Sequence, residues 1–518
     1  MRLTKTGLYT TSLLLFVFLL SGSMLFNSCK GGKKGSFDFT GDTIADGAKL
    51  IDIYCTKCHQ LVPANMLTND VWKYHTLPTM SHYLGLSTYG PDYFKNNPDS
   101  AGISLTEWQG IVAYYKKLAP VTLETKKPPV ALSDDWAGFS LKTPAASKYN
   151  PFTALIAVNP YNHKIYTSDV KTEEVYEWDK NLKEREVAKL SSVAVNANFI
   201  QDEKGANQGL FTSIGQLQPV DFPNGKVTKV DLDARGKMVA PSLIASELAR
   251  PVQTISGDFN KDGLTDWVIC GQGFKLGGVY LLKQNADHTF SQSNISNRAG
   301  SVQAVAGDFN NDGWQDIMVL FGSGDEGLWL FSNDHKGGFT AKELLRFPPV
   351  NGSSSFQLAD LNHDGKLDLI YTSGYNFYDS RILKPYHGLY IFTNEGDWKF
   401  KQSYFYPING CTKAIAVDFD GDGDLDIATI AFFADLKGNP AESFIYFEQD
   451  KQLSFKPHAI PVSKYGHWYS MDVGDVNNDG KPDILLGNYS KGFMFQQGLT
   501  PYWDEHLPFI VLENHTKK

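Results

Sequence analysis

The 518 residues carry a formal net charge of −9, and 42% of them are hydrophobic and 13% aromatic. That is enough apolar material for more than one folded core, and it excludes a wholly disordered chain. No basic tract interrupts the acidic balance, which excludes a nucleic-acid partner.

Residues 1–29 have the pattern of an export signal. Arg2 and Lys5 precede LLLFVFLL (Leu13–Leu20), an apolar stretch too short and too early for a stable spanning helix. It runs into LFNSC, where Leu25, Phe26 and Ser28 lead to Cys29. This resembles a bacterial lipobox. The resemblance implies a lipoprotein that starts at a diacylglyceryl Cys29 and is anchored in the cell envelope, on its periplasmic face or at the cell surface. Plain signal cleavage is the alternative. Residues 30–39, with KGGKKGS, read as a flexible tether.

Residues 40–120 have helical texture. TIADGAKLIDIYC spaces Ile44, Ala48, Ile51 and Tyr54 along one expected helical face. SLTEWQGIVAYYKKLA predicts a second helix, capped by Ser104 with Glu107 three residues on. Between them stands YCTKCHQL. Cys55, Cys58 and His59 form C-x-x-C-H, the attachment signature of c-type haem: two thiols for the vinyl groups and an adjacent imidazole for the iron. A zinc site would need a second ligand pair, and a redox dithiol would sit in a βαβ unit. The sequence offers neither.

An N-terminal helix ending at the haem motif, followed by a C-terminal helix, resembles a small class I cytochrome c. The resemblance implies covalent haem c with a second axial ligand. The Pro-x-Met context of LPTM is similar to the methionine loop of that family and points to Met80. Met66, His75 and His82 compete, but Met66 lies only seven residues past His59, and the two histidines read as surface residues.

Residues 121–150 form a linker, marked by KKPP, and an opening strand. Residues 151–513 then repeat a unit. DFNKDGLTD, DFNNDGWQD, DLNHDGKLD, DFDGDGDLD and DVNNDGKPD begin at residues 258, 308, 360, 418 and 475, and all read D-x-[ND]-x-D-G-x-x-D. A period of 50 to 58 residues marks an array of similar supersecondary units. Hard oxygens at alternate positions of a tight loop are what Ca²⁺ selects. The expected ligands are Asp258, Asn260, Asp262, Leu264 and Asp266; Asp308, Asn310, Asp312, Trp314 and Asp316; Asp360, Asn362, Asp364, Lys366 and Asp368; Asp418, Asp420, Asp422, Asp424 and Asp426; and Asp475, Asn477, Asp479, Lys481 and Asp483. The seventh position varies freely, as a backbone carbonyl donor permits. The flanks alternate or run apolar, so the loops sit on β-hairpins rather than between EF-hand helices.

These hairpins resemble FG-GAP (VCBS-type) repeats, similar to the blades of integrin α-subunits. The resemblance implies a β-propeller with calcium in hairpin loops. NPYNHK (Asn159–Lys164) stands where an acidic loop is expected, and residues 206–250 form another weak unit. Two degenerate and five marked blades predict seven. Cys270 and Cys411 read as buried free thiols.

The expected molecule is multidomain: a small all-α cytochrome c domain, then an all-β propeller with calcium-binding hairpin loops. Its expected role is membrane-tethered electron transfer to a redox partner protein, the propeller recognising a glycan or an envelope protein. The alternatives are a quinone-dependent propeller dehydrogenase feeding its fused cytochrome, and a surface adhesin. No catalytic residue emerges, because His163, His363, His387 and His467 share no position in the repeat.

Overall fold

The computed structural model describes residues 37–86, 102–202, 204–218, 220–234, 238–377, 382–492, 496 and 498–516. The leader and Cys29 lie outside the described residues.

Four helices open the described chain. α1 (Thr43–Tyr54) starts at Asp42, whose carboxylate accepts from the backbone N–H groups of Ile44 and Ala45. α2 (Asn69–Val71), a single π turn (Trp72–Thr76) and α3 (Leu77–Tyr83) follow as one helical stretch. α4 (Leu105–Leu118) carries the expected capping box, with Ser104 and Glu107 satisfying each other's backbone N–H groups at 3.2 and 2.8 Å.

The buried face of α1 differs from the expected one. Gly47, Leu50 and Ile51 are buried, while Ile44 and Ala48 are exposed. The reason is a close crossing with α4. A Cβ on Gly47 would meet the Tyr114 Cβ at 2.4 Å, and one on Gly110 would meet Leu50 Cδ1 at 2.7 Å. Only glycine admits that approach, so the crossing selects the face that carries it. Around it pack Leu67, Val71, Trp72, Leu77, Trp108, Ile111 and Tyr115. Trp72 and Tyr115 stack at 3.8 Å, and each also donates to the loop backbone, at Ala64 O and Val62 O.

The remainder is a seven-bladed β-propeller, with seven sheets of four antiparallel strands. Six blades are consecutive meanders. The seventh takes its outer strand (Phe139–Lys142) from before the first blade and pairs it with Phe509–Asn514. The propeller therefore begins within the expected linker and opening strand, ahead of residue 151. The second blade likewise starts at Ala194, ahead of residue 206. This closure ties the two ends of the ring together, with Phe139–Lys142 as the outer edge of the last blade.

The five second strands that begin with the last aspartate of an acidic loop are buried along their whole length: DWVICG, DIMVLF, DLIYTS, DIATIA and DILLGN. Buried on both faces between blades, they lose strict alternation. Each large apolar side chain there contributes about 1.5–3 kcal/mol.

Every inner strand bulges at its start, at Thr153/Leu155, Ala194/Asn196, Pro251/Gln253, Ser301/Gln303, Ser353/Ser355, Cys411/Lys413 and Trp468/Ser470. A bulge sharpens twist at one point, as strands lining a narrow ring require. Inner-strand side chains then staple adjoining blades. Gln253 accepts from Ala304 N, Gln303 from Phe356 N and Gln357 from Ala416 N, at 2.6 to 3.0 Å. Lys413 donates to Met471 O, and Asp472 accepts from Val158 N.

Each acidic loop joins the first and second strands of its blade, so all five lie at one end of the propeller. The helices sit at the other end. Val350, Ile382 and Tyr386, from connections at that end, pack into the helical core, and Lys275 lies 5.6 Å from the Tyr83 ring centroid.

Candidate functional site

The five acidic loops share one hydrogen-bond plan. The first aspartate accepts from the N–H groups of the fifth and sixth residues, as Asp308 does from Asp312 and Gly313 at 3.1 and 2.8 Å. The third side chain accepts from the fifth N–H, and the fifth carboxylate accepts from the seventh. The same bonds recur at Asp258, Asp360, Asp418 and Asp475. The fourth and sixth residues both turn left-handed; in the fourth blade these are Asn311 (φ 59°) and Gly313 (φ 83°). A Cβ at Gly263, Gly365, Gly423 or Gly480 would meet nothing within 4 Å, so glycine is needed there for its backbone angle alone.

The ninth aspartate is the hinge of this arrangement. Asp266, Asp316, Asp368, Asp426 and Asp483 are at most 1% exposed. Each accepts from the second residue of its own loop and from the end of its third or last-paired strand, as Asp483 does from Val476 N and Asn514 N at 3.2 and 2.8 Å. Burial, opposed by these bonds, pushes the Asp426 and Asp483 carboxyls up to about 6. Sequence reading had not singled out Asn333 and Asn514. Their amides cross to the preceding blade, at Phe259 O and Phe419 O, both 2.8 Å. A polar residue closing the third strand was the available signal.

The loops also touch one another. His363 Nε2 bonds Asp424 of the next blade at 2.7 Å, and Lys261 lies over Trp314 of the next at 4.7 Å. Asp418, Asp420 and Asp422 bring their ligand oxygens within 4.8 Å of one another, a donor set that fits a hard divalent cation. In the other four loops an asparagine amide oxygen replaces the third carboxylate.

In the helical unit, Cys55 caps α1 and Cys58 N donates back to Cys55 O at 3.4 Å. Cys58 is exposed; Cys55 is half-buried, and burial, then Cys58, pushes its thiol up to about 11. His59 Nδ1 lies 2.8 Å from Gln60 O. A carbonyl only accepts, so Nδ1 is the donor in this bond and Nε2 is the nitrogen left for another partner. Met80 packs half-buried against the same core as Cys55. It lies within helix α3, not in the loop expected from the Pro-x-Met context, because Pro78 stands at a first-turn position where helices accept proline. Met66 also packs there, while His75 and His82 are exposed. Two thiols, an imidazole and a thioether that packs against the same core as Cys55 make a donor set that fits a c-type haem.

The four histidines weighed as catalytic candidates divide between the ends. His163 and His363 lie in first-to-second-strand loops. His387 and His467 are buried at the helical end, and burial lowers both, His467 to about 4. Cys270 and Cys411 are buried free thiols, as expected.

Comparison with known proteins agrees with the repeat. Residues 258–319 and 308–371 match the FG-GAP-like repeat, and residues 467–498 the FG-GAP repeat. Integrin alpha-3 of Cricetulus griseus is 27% identical over 181 residues, 32% of this chain and 17% of the integrin. The chain thus spans less than a fifth of that relative's length. A streptogramin B lyase structure superposes with a TM-score of 0.45 at 12% identity, covering 74% of this chain and 99% of the lyase. An ancestral GH74 enzyme gives 0.44 at 9% identity, covering 74% and 50%. Repeats of the FG-GAP type, carried on a seven-bladed β-propeller, are what the loops and the sequence matches together establish for this chain.

Proposed function

We propose that this protein transfers single electrons through haem c held on its helical unit, with a calcium-stabilised propeller as the platform that positions the haem and recognises a partner. The observation that carries the reading is His59. Its Nδ1–H is spent on Gln60 O, which fixes the ring and leaves Nε2 as the ligand nitrogen. Haem c supplies one-electron chemistry when bound. Cys55 and Cys58 would hold it by thioether bonds, and His59 and Met80 would ligate its iron. With both iron ligands supplied by the protein, these residues would favour electron transfer over catalysis at the iron. The acidic loops would hold Ca²⁺ through their first, third, fifth and ninth side chains. A lipid at Cys29 would tether the protein to the cell envelope, within reach of a redox partner protein.

The test is covalent haem. Protein produced in a host with working cytochrome c maturation should keep its haem through denaturing electrophoresis. Cys55→Ala with Cys58→Ala should lose it. A colourless wild-type product overturns the reading.

A further inference from the structure

A cavity of about 600 Å³ lies between the helical unit and blades five and six, walled by the start of α2, by residues 121–128 and by loops at the helical end of the propeller. Its size suits a small molecule.

The charge on its wall is unbalanced. Glu442 is half-buried, and its carboxylate accepts three hydrogen bonds from uncharged groups: Asn409 N and Nδ2 on Oε2, at 3.1 and 3.0 Å, and Asn439 Nδ2 on Oε1, at 2.8 Å. Among the described residues no cation pairs with it, and Oε1 keeps an acceptor site open. Lys384, also on the wall, donates to Val350 O at 3.2 Å, and its charge acts on buried Glu326. A carboxylate withdrawn from water without a counter-charge is costly, and burial accordingly raises the Glu442 carboxyl. His387 is 1% exposed, neutral through burial and Lys384, and its Nε2 has no partner among the described residues. The rest of the wall includes Ile382, Leu383, Ile408 and the Tyr74 ring.

We propose that this cavity binds a small organic amine, its ammonium on Glu442 Oε1 and its apolar body against Ile382, Leu383 and Ile408. The ammonium supplies the missing counter-charge, and a second N–H reaches toward His387. The proposal does not depend on haem, since no haem ligand lines the cavity.

Calorimetric titration of the full chain at neutral pH tests it, with benzylamine and its neutral counterpart benzyl alcohol as probes. Benzylamine should bind with a Kd of about 1 mM or tighter, and benzyl alcohol at least about tenfold more weakly. Glu442→Gln should weaken benzylamine by about tenfold or more and leave benzyl alcohol unchanged. Thr122→Trp, on the exposed linker wall, should block benzylamine while leaving the fold intact, and it serves if the Glu442 variant does not fold. Equal binding of the two probes, no binding of benzylamine, or full benzylamine affinity in either folded variant overturns the proposal.

Discussion

The phenolic hydroxyl of Tyr386, in a loop of the fifth blade, donates to the backbone carbonyl of Met66, 3.1 Å away and 320 residues earlier in the chain. With Val350 inserted into the helical core, this bond makes the propeller part of the helical unit's own packing. The helices are seated on the propeller rather than swinging from the linker.

That seating is measurable. A net hydrogen bond is worth roughly 1 kcal/mol, so Tyr386→Phe should destabilise the seat by about that much. Hydrogen exchange at residues 64–86 should quicken severalfold, with blades one to three unaffected. Unchanged exchange would show that the apolar contacts alone hold the unit.

Calcium should govern propeller stability. A ligand bound only by the folded state adds about 2.7 kcal/mol per site at a hundredfold excess over Kd. Chelation should lower the melting temperature of the propeller while changing the helical unit little, and Asp312→Ala should reproduce part of the effect. Identical melting curves with and without chelator, together with no bound calcium, would reduce the loops to turns.

The proposed methionine ligand can be tested spectroscopically. Oxidised protein should show the deep-red charge-transfer band of iron–methionine bonding. Met80→Ala should abolish it and Met66→Ala should keep it. The opposite pattern would assign Met66.

Glu326 should make stability depend on pH. It is 2% exposed, and burial pushes its carboxyl up to about 7 against the bonds it accepts from Ser353 and Gly352. The folded pKa is raised, so its contribution is fully present below the unfolded value and is lost as pH rises through about 7. The shift corresponds to roughly 3 kcal/mol of ionisation penalty above that pH. The melting temperature of Glu326→Gln relative to wild type should therefore increase between pH 5 and pH 8. A constant difference would show that Glu326 titrates normally.

Close packing should decide whether the helical unit forms. Gly47→Leu drives a side chain into Tyr114, and overpacking of this kind costs typically 1–3 kcal/mol or more. Helical signal and haem content should fall together, with the propeller still folded. Normal haem content would mean that the crossing tolerates the bulk.

The sequence by itself determined what local chemistry dictates. The D-x-[ND]-x-D-G-x-x-D spacing set five hairpin turns, because the left-handed sixth residue and the carboxylate-to-amide bonds close within nine residues. Ser104 and Glu107 set the start of α4 for the same reason. The blade count followed from the period. Tertiary structure decided whatever depends on residues far apart. Phe139–Lys142 had no local sign that it would close the last blade with Phe509–Asn514 at the far end of the chain, since an edge strand is defined by its partner. The buried face of α1 turned on Gly47 meeting Tyr114, a steric fact invisible in apolar periodicity. Glu442, Asn409 and His387 meet only because two blades and a helical unit converge, and a carboxylate lacking its counter-ion is recognised only once its neighbours are known.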